Sequence, residues 1–476
     1  AYEVEDGGDP AYGVLVPAAI AKGVVKFVDI SKAEKAPGVI AVWWHGNAPK
    51  QAPAGTRGEG SQGASRPVLG DDKVRYFGEP IAAVIAETFE QAQAAAKLIT
   101  ATYAEESALV DFEAHAIEAE TPKGEEEHRL GDFEAAFAAA PVTVDETYTT
   151  PIQNHCQIEP HAASAFWDGD KLVVHNANQF LKGIQHSISE TLQMPKDDVQ
   201  LISRYIGGGF GGKAALFAEG SLAAVATHEL KRPVKASFSR QQMFHMATHR
   251  PGSIQRIRLG AEKDGTLTAI AHEGIVHCAR NDSFVEHVAA NTRGLYSAPN
   301  RLTAHKLLRM DIPVAGAMRA PGEAIGMLSI EVAMDELAEK LGIDPIELRI
   351  KNEPAKHPES GQEFSSREMV GCFREGAALF GWSKRNPKPG QVRDGDWLVG
   401  IGTAASIRGN FLLPARAYMR IDKDGTITLR QGMTDIGTGT YTILAQIVSE
   451  TLGVPIKQIK VEIGESNFAP APGSGG

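Results

Sequence analysis

Five glycines fall within the seven positions of GGGFGGK, residues 207–213, between the strand-like LISRYI and an apolar run that holds Leu222, Val225 and Leu230. Glycines between a strand and a helix free backbone N–H groups to point at a phosphate or similar anion, with no Cβ in the way. Read as G-x-x-x-x-G-K, the segment is a nucleotide loop, yet Ala214 stands where a Mg²⁺-binding Ser or Thr belongs. An NTPase is therefore disfavoured. A tight turn without a ligand is the other alternative, and so much glycine is entropically expensive for a turn alone. A second chemical cluster, HCQIEPH at residues 155–161, offers His155, Cys156, Glu159 and His161. Its spacing matches no zinc pattern and no second cluster completes it, so it reads as structure preceding a strand.

An internal repeat indicates what positions these residues. Ser189 begins SETLQMPKDDVQLI and Ser449 begins SETLGVPIKQIKVE; the two share S, E, T, L and P, followed by a strand-like alternation. Each copy follows an Asp-Gly hairpin, at Asp168-Gly169 and Asp424-Gly425, and leads to a glycine-rich loop, GGGFGGK in one and APAPGSGG in the other. Two related α/β domains facing each other across a ligand are expected. A third hairpin is expected at Asp264-Gly265. Residues 13–16, 38–44 and 80–86 read as strands, the last leading into the helical ETFEQAQAAAKLI, which makes a small α+β unit. HGNAPKQAPAGTRGEGSQGASRP reads as a long exposed loop. AIGMLSIEVAMDELAEKLG predicts a helix with Ile330, Met334, Leu337 and Leu341 on its apolar face, followed by Asp344 as N-cap, Pro345 in the first turn and Glu347 closing a capping box. Acidic, proline-containing EAETPKGEEEH and the stretch NPKPGQVRDGD read as linkers.

Composition excludes several classes. The chain of 476 residues has a hydrophobic fraction of 43% and a charged fraction of 22%, ordinary for a globular protein and enough for about three domains. Its net charge of -11, without a basic face in the sequence, argues against nucleic acid. No apolar run approaches the roughly 20 residues needed to span a bilayer. The 3 cysteines, Cys156, Cys278 and Cys372, cannot supply four thiolates, so any iron-sulfur centre is expected on another polypeptide.

GGGFGGK, together with VRYFGEPIAAVIAET, IEPHAASAFWDGDKL, AMRAPGEA, RDGDWLVG and TDIGTGTYTILAQ, resembles the large, molybdopterin-binding subunit of the xanthine dehydrogenase and aldehyde oxidase family. The resemblance covers essentially the whole chain and is strongest to bacterial periplasmic aldehyde oxidoreductases. It implies an α+β protein: a hammerhead-like domain at 1–105, a linker at 106–130, a first molybdenum-cofactor domain at 131–385, a linker at 386–396 and the start of a second such domain at 397–476.

The resemblance also implies roles. Gln179, in HNANQF, would stand near the molybdenum with its amide facing an oxo ligand, although it also reads as a strand-end polar residue. Gly208, Gly209, Phe210 and Gly211 would hold the metal face of the cofactor, Phe210 closing the pocket. Met318 and Arg319 would lie over the pterin and line the substrate channel, with Gln179 and Arg319 in catalytic roles; Arg319 could instead pair with Glu323 at a helix start. Thr438, Gly439, Thr440 and Tyr441 would cradle the pyrophosphate or pterin, with Ser474 and Gly475 completing the cofactor site. The metal would be held by the pterin, not by side chains.

The implied reaction is oxidation of an aldehyde to its acid with water as oxygen source. Purines are less expected, because the family places a glutamate after GGK where this chain has Ala214. An N-heterocycle hydroxylase and a non-catalytic pterin-binding scaffold are the alternatives. The implied cofactor is molybdopterin, with cytosine on its dinucleotide tail, and the implied partners are a [2Fe-2S] subunit and an FAD subunit in a heterotrimer. Export to the periplasm on the small partner is expected, with the cytoplasm otherwise. The family's general-base glutamate has no match here, and the second repeat stops within its glycine loop; the remaining part of the domain is therefore expected as another chain or as further residues.

Overall fold

The computed structural model describes residues 3–4, 7–53, 66–280, 282–409 and 412–475. Residues 54–65 of the long loop expected between strands lie outside that set, as does Gly476. The main element is a seven-stranded mixed sheet in the order Val199–Ile202, Lys171–Asn176, Ala162–Asp168, Val234–Ser237, Ala11–Pro17, Pro80–Ala86, Val39–Trp44. Its central strands are near-continuous apolar runs because helices cover them: Ile81 to Ala86 are all buried, and so are Ala162, Ala163 and Ala165. The helix Phe89–Ala96 starts at Thr88, whose hydroxyl accepts from the Gln91 N–H while the Gln91 side chain accepts from the Thr88 N–H.

This sheet continues past the boundary expected at residue 105. The strand Ala11–Pro17 runs parallel to Val234–Ser237, pairing Ala11 with Val234 and Gly13 with Ala236, so one sheet crosses the boundary drawn at 105. Gly13 lets the helix Ala218–Leu230 pack closely over this junction; a Cβ there would stand 2.9 Å from Leu222 Cδ2. The three-stranded sheet of Lys73–Val74, Gly23–Asp29 and Thr100–Glu105 lies beside it. The stretch expected as a linker at 106–130 is also built in: the Leu109 N–H donates to Asp311, and His128–Leu130 pairs with Asn300–Met310. At 386–396, Arg393–Asp394 forms a hairpin with Trp397–Leu398.

A second sheet orders His128–Leu130, Asn300–Met310, Leu267–Ala279, Ser253–Ala261 and Val142–Thr150, and carries the expected turn at Asp264-Gly265. The helix Glu323–Leu341 packs on it through fully buried Ile330, Met334 and Leu337, with Leu341 at the margin. Asp344 caps the next helix, Pro345–Lys351, accepting from the Ile346 and Glu347 N–H groups. Glu347 does not close a capping box; its carboxylate pairs with Arg374 at 3.4 Å.

The repeat is real in three dimensions. Leu181–Leu192 and Thr440–Leu452 both end in a left-handed residue, Gln193 or Gly453, and pass through a proline and a 3₁₀ turn into Val199–Ile202 or Ile459–Ile463. In each, the serine of SETL donates across the break, Ser189 to the Met194 carbonyl at 2.7 Å and Ser449 to the Val454 carbonyl at 2.6 Å. Each final strand runs parallel to the second strand of the preceding hairpin. The copies differ at one edge. Ala162–Asp168 is flanked by Val234–Ser237, whereas its counterpart Tyr418–Ile421 is an edge strand of its three-stranded sheet, with Tyr418, Met419 and Ile421 exposed.

Candidate cofactor site

The two final strands of the repeats meet end to end, where the Ser203 N–H donates to the Gly464 carbonyl and the Ser466 N–H to the Leu201 carbonyl. Gln179, three residues beyond the strand Lys171–Asn176, is the knot of this junction and is buried. Its Oε1 accepts from the N–H groups of Gly211 (3.0 Å) and Lys213 (3.3 Å), and its Nε2 donates to the Ser474 carbonyl (2.8 Å). Its backbone N–H donates to the Lys213 carbonyl, and its own carbonyl accepts from Ser474. Both ends of the amide therefore engage loop backbone, which differs from the expectation that the amide faces a ligand. Ser474 in turn exchanges hydrogen bonds with the Thr434 backbone through its hydroxyl, at 2.9 and 2.6 Å. One glutamine and one serine stitch the glycine loops of the two repeats together.

Within GGGFGGK, Gly208, Phe210 and Gly211 have positive φ, and a Cβ on Gly211 would stand 2.2 Å from the Ala317 carbonyl oxygen. Gly209 lies outside the positive-φ set and is constrained by space, since its Cβ would meet Gln179 Oε1 at 2.7 Å. The Phe210 carbonyl accepts from the Arg319 N–H at 2.8 Å, which lays AMRAPGEA on the loop; the Phe210 ring itself is half exposed. Residues 318–320 are held from behind by Arg250, whose guanidinium donates to the carbonyls of Met318, Arg319 and Ala320 and pairs with buried Glu286 at 3.1 Å. The alternative pairing of Arg319 with Glu323 is not made: Glu323 pairs with Arg408 at 3.3 Å, and the Arg319 residue is exposed.

The second loop approaches from the other repeat. Asp435 accepts from the Gly437 and Gly439 N–H groups, Gly439 caps the helix Thr440–Leu452, and the Thr438 and Thr440 hydroxyls lie 3.3 Å apart. Tyr441 joins the loops: its ring stacks on Tyr205 at 5.4 Å and its hydroxyl donates to the Arg204 carbonyl. Gly475 lies next to the Phe180 ring, which would be 3.8 Å from an added Cβ.

The residues present suit an extended anionic cofactor. The hydrogen bonds just described, with Gln157 and His161 below, account for much of the GGGFGGK backbone, and among the described residues none accepts from the consecutive N–H groups of Gly208, Gly209 and Phe210. Alternating signs of φ there point such groups to one side, an anion-binding concavity. A Cβ on Gly437 or Gly439 would meet nothing within 4 Å, so the start of the helix Thr440–Leu452 presents bare backbone. Asn178 Oδ1, Gln157 Oε1 and Thr434 Oγ1 are buried at the same junction without a partner. Among the described residues no group of three or more His, Cys, Asp or Glu is placed to hold a metal.

Sequence reasoning missed several members of this site: Arg250 and Glu286 behind 318–320, Asp435, Thr434, Asn178 and Gln157; HCQIEPH, expected to be structural, supports the loop through its polar side chains. Gln157 Nε2 donates to the Gly209 carbonyl, His161 Nε2 to the Gly212 carbonyl, and Glu159 pairs with Lys213 at 2.7 Å. Burial holds the His161 pKa down to about 3, with the Gly212 carbonyl opposing, so the ring donates as the neutral imidazole. The signal was present in the polar-every-second-residue pattern of the segment.

The glycine loops, their pseudo-repeated frame and the stitched junction define a binder of an extended cofactor, and comparison gives its kind. Residues 116–353 and 375–476 match molybdopterin cofactor-binding domains, and residues 5–107 match the aldehyde oxidase and xanthine dehydrogenase a/b hammerhead domain. The chain belongs to the molybdopterin-binding family of aldehyde oxidases and xanthine dehydrogenases. Among its relatives is the aldehyde oxidoreductase molybdenum-binding subunit PaoC of Escherichia coli (strain K12), 44% identical over 99% of this chain and 64% of the relative. The xanthine dehydrogenase molybdenum-binding subunit of Escherichia coli O157:H7 is 28% identical over 94% of this chain and 63% of its own length. The chain thus spans just under two thirds of these relatives. In fold it matches the aldehyde oxidoreductase of Desulfovibrio desulfuricans ATCC 27774, with a TM-score of 0.86 at 23% identity, over 98% of this chain and 54% of that one.

Proposed function

We propose that this chain is the cofactor-binding part of a molybdenum hydroxylase that oxidises aldehydes to carboxylic acids with water as the oxygen source. The observation that carries the reading is the stitch between Gln179 and Ser474, which sets the unpartnered N–H groups of one repeat beside the bare helix start of the other. Bound there, molybdopterin supplies the metal, its redox change and the activation of water. The chain's residues bind and orient. Gly208, Gly209 and Phe210 donate N–H groups to anionic oxygen, Thr438, Gly439 and Thr440 receive the pyrophosphate at a helix N-terminus, and Met318 with Arg319 walls the substrate side. Ala214 supports aldehydes over purines, being a small buried residue where a purine-oxidising member would carry a carboxylate.

Electrons leave to a [2Fe-2S] subunit and then FAD, in keeping with a chain of 3 cysteines. The open edge of Tyr418–Ile421 is where the first repeat carries a further strand, which supports completion of this domain by more polypeptide. A cytosine dinucleotide tail and export with the iron-sulfur partner belong to the same reading. The test is metal and pterin analysis of the full-length protein, with aldehyde turnover in isotopically labelled water. Molybdenum with pterin, and label in the carboxylate product, are expected. Protein holding neither, or product oxygen drawn from dioxygen, would overturn the reading.

A further inference from the structure

We propose that HCQIEPH, residues 155–161, is a splint that presets the glycine loop for its cofactor, with Glu159 as its central positioning residue; this rests on the cofactor reading above. Alternate residues of the segment reach the loop. The His155 ring lies under Gly212, where a Cβ would come within 2.7 Å of it, and sits between the Thr248 and Ala317 carbonyls. Gln157 donates to the Gly209 carbonyl at 3.0 Å, and His161 to the Gly212 carbonyl at 2.7 Å. Glu159 closes both ends of the loop at once: its Oε2 accepts from the Gly207 N–H and from the Lys213 ammonium, each at 2.7 Å, and its own N–H donates to the Gly207 carbonyl. The intervening Cys156 and Ile158 are exposed.

Physical need and geometry agree. A loop with five glycines in six positions has great conformational freedom to lose, and ordering it during binding would subtract from affinity. The splint engages the loop at Gly207, Gly209, Gly212 and Lys213, and leaves unpaired the N–H groups of Gly208, Gly209 and Phe210. Lys213 is fully buried, with Glu159 and, further off, Glu219 as its counter-charges. Burial pushes Glu159 up, but the Lys213 ammonium and the Gly207 N–H more than offset this and keep the carboxyl ionised below its ordinary range.

The experiment uses the full-length, cofactor-loaded protein and three variants: Glu159→Gln, Gln157→Met and the outward-facing control Ile158→Ala. Release of molybdenum after dilution should be about ten-fold faster in the first two, the loss of one or two hydrogen bonds to the loop, and unchanged in the third. Amide exchange at residues 207–213 of cofactor-stripped protein should quicken in the same two variants, by a similar factor, while the exchange of the buried sheet strands stays as in the parent. Should Glu159→Gln fail to fold because Lys213 loses its partner, Gln157→Met decides the matter. Wild-type release rates and loop exchange in Gln157→Met, or equal effects from Ile158→Ala, would overturn the splint. A parent protein without molybdenum or pterin sinks the cofactor reading instead, and the loop exchange then judges the splint alone.

Discussion

Gly211 combines positive φ with a carbonyl oxygen 2.2 Å from where a Cβ would be, so Gly211→Ala meets both strain and collision. It should cost about 3 kcal/mol in urea unfolding and displace residues 317–319 from the loop. Gly209→Val acts differently: its side chain would strike Gln179 Oε1, loosening the stitch, so cofactor content should fall by more than global stability does. Full cofactor content in Gly209→Val would show that the loop is merely a turn. Behind the loop, Arg250→Met strands the buried Glu286 carboxylate, whose pKa burial already pushes up, and should cost about 3 to 5 kcal/mol. Adding Glu286→Gln should recover part of that loss; no recovery would mean that the three carbonyl bonds, not the charge, matter. At this scale the sequence showed where backbone must approach something, because glycine is a local signal. It did not show Arg250, whose partners lie 36 to 97 positions away in the chain.

Among the elements, the repeat was legible because its parts are local: a helix, a left-handed break, a proline, a 3₁₀ turn and a strand within one short window. The two breaks offer a matched comparison. Gly453 adopts φ 68 freely, whereas Gln193 holds φ 54 with a side chain attached. Gln193→Gly should therefore stabilise by roughly 1 kcal/mol and Gly453→Gln destabilise by a similar amount, read from denaturant midpoints. Opposite signs are the point of the experiment; two destabilising changes would indicate that the Gln193 side chain contributes elsewhere. Less legible was the junction at residue 105. Apolar runs announced the strands, but a parallel pairing between residues 11 and 234 leaves no mark in either segment, so the unit's part in the seven-stranded sheet, three of its strands, could not be read from them. Glu347 shows the same limit in miniature, since a correct spacing for a capping box was overruled by Arg374 from another helix.

Taken as a whole molecule, the protein carries a heavy load of neutral, buried imidazoles. Burial holds His161, His249, His272 and His305 down to about 3, against about 6.5 in an unfolded chain. Protons then favour the unfolded state, so the stability these groups contribute is whole above pH 6.5 and is lost as pH falls towards 3, at about 1.4 kcal/mol per unit for each. Glu219, raised by burial to about 7, has the opposite sign between pH 7 and 4.5 and cancels about one histidine. A steep loss of urea midpoint between pH 6.5 and 5 is expected; a flat profile would mean that the rings are hydrated. The shared sheet has a further consequence, for synthesis. The strand Ala11–Pro17 can pair with Pro80–Ala86 early, but its other edge waits for Val234–Ser237. At roughly 5 to 20 residues per second, the ribosome leaves that apolar edge open for on the order of ten to forty seconds. The nascent chain therefore passes through a window in which the strand Ala11–Pro17 is a ready template for a neighbouring copy on the same message, and a chaperone that shields this edge would raise the yield.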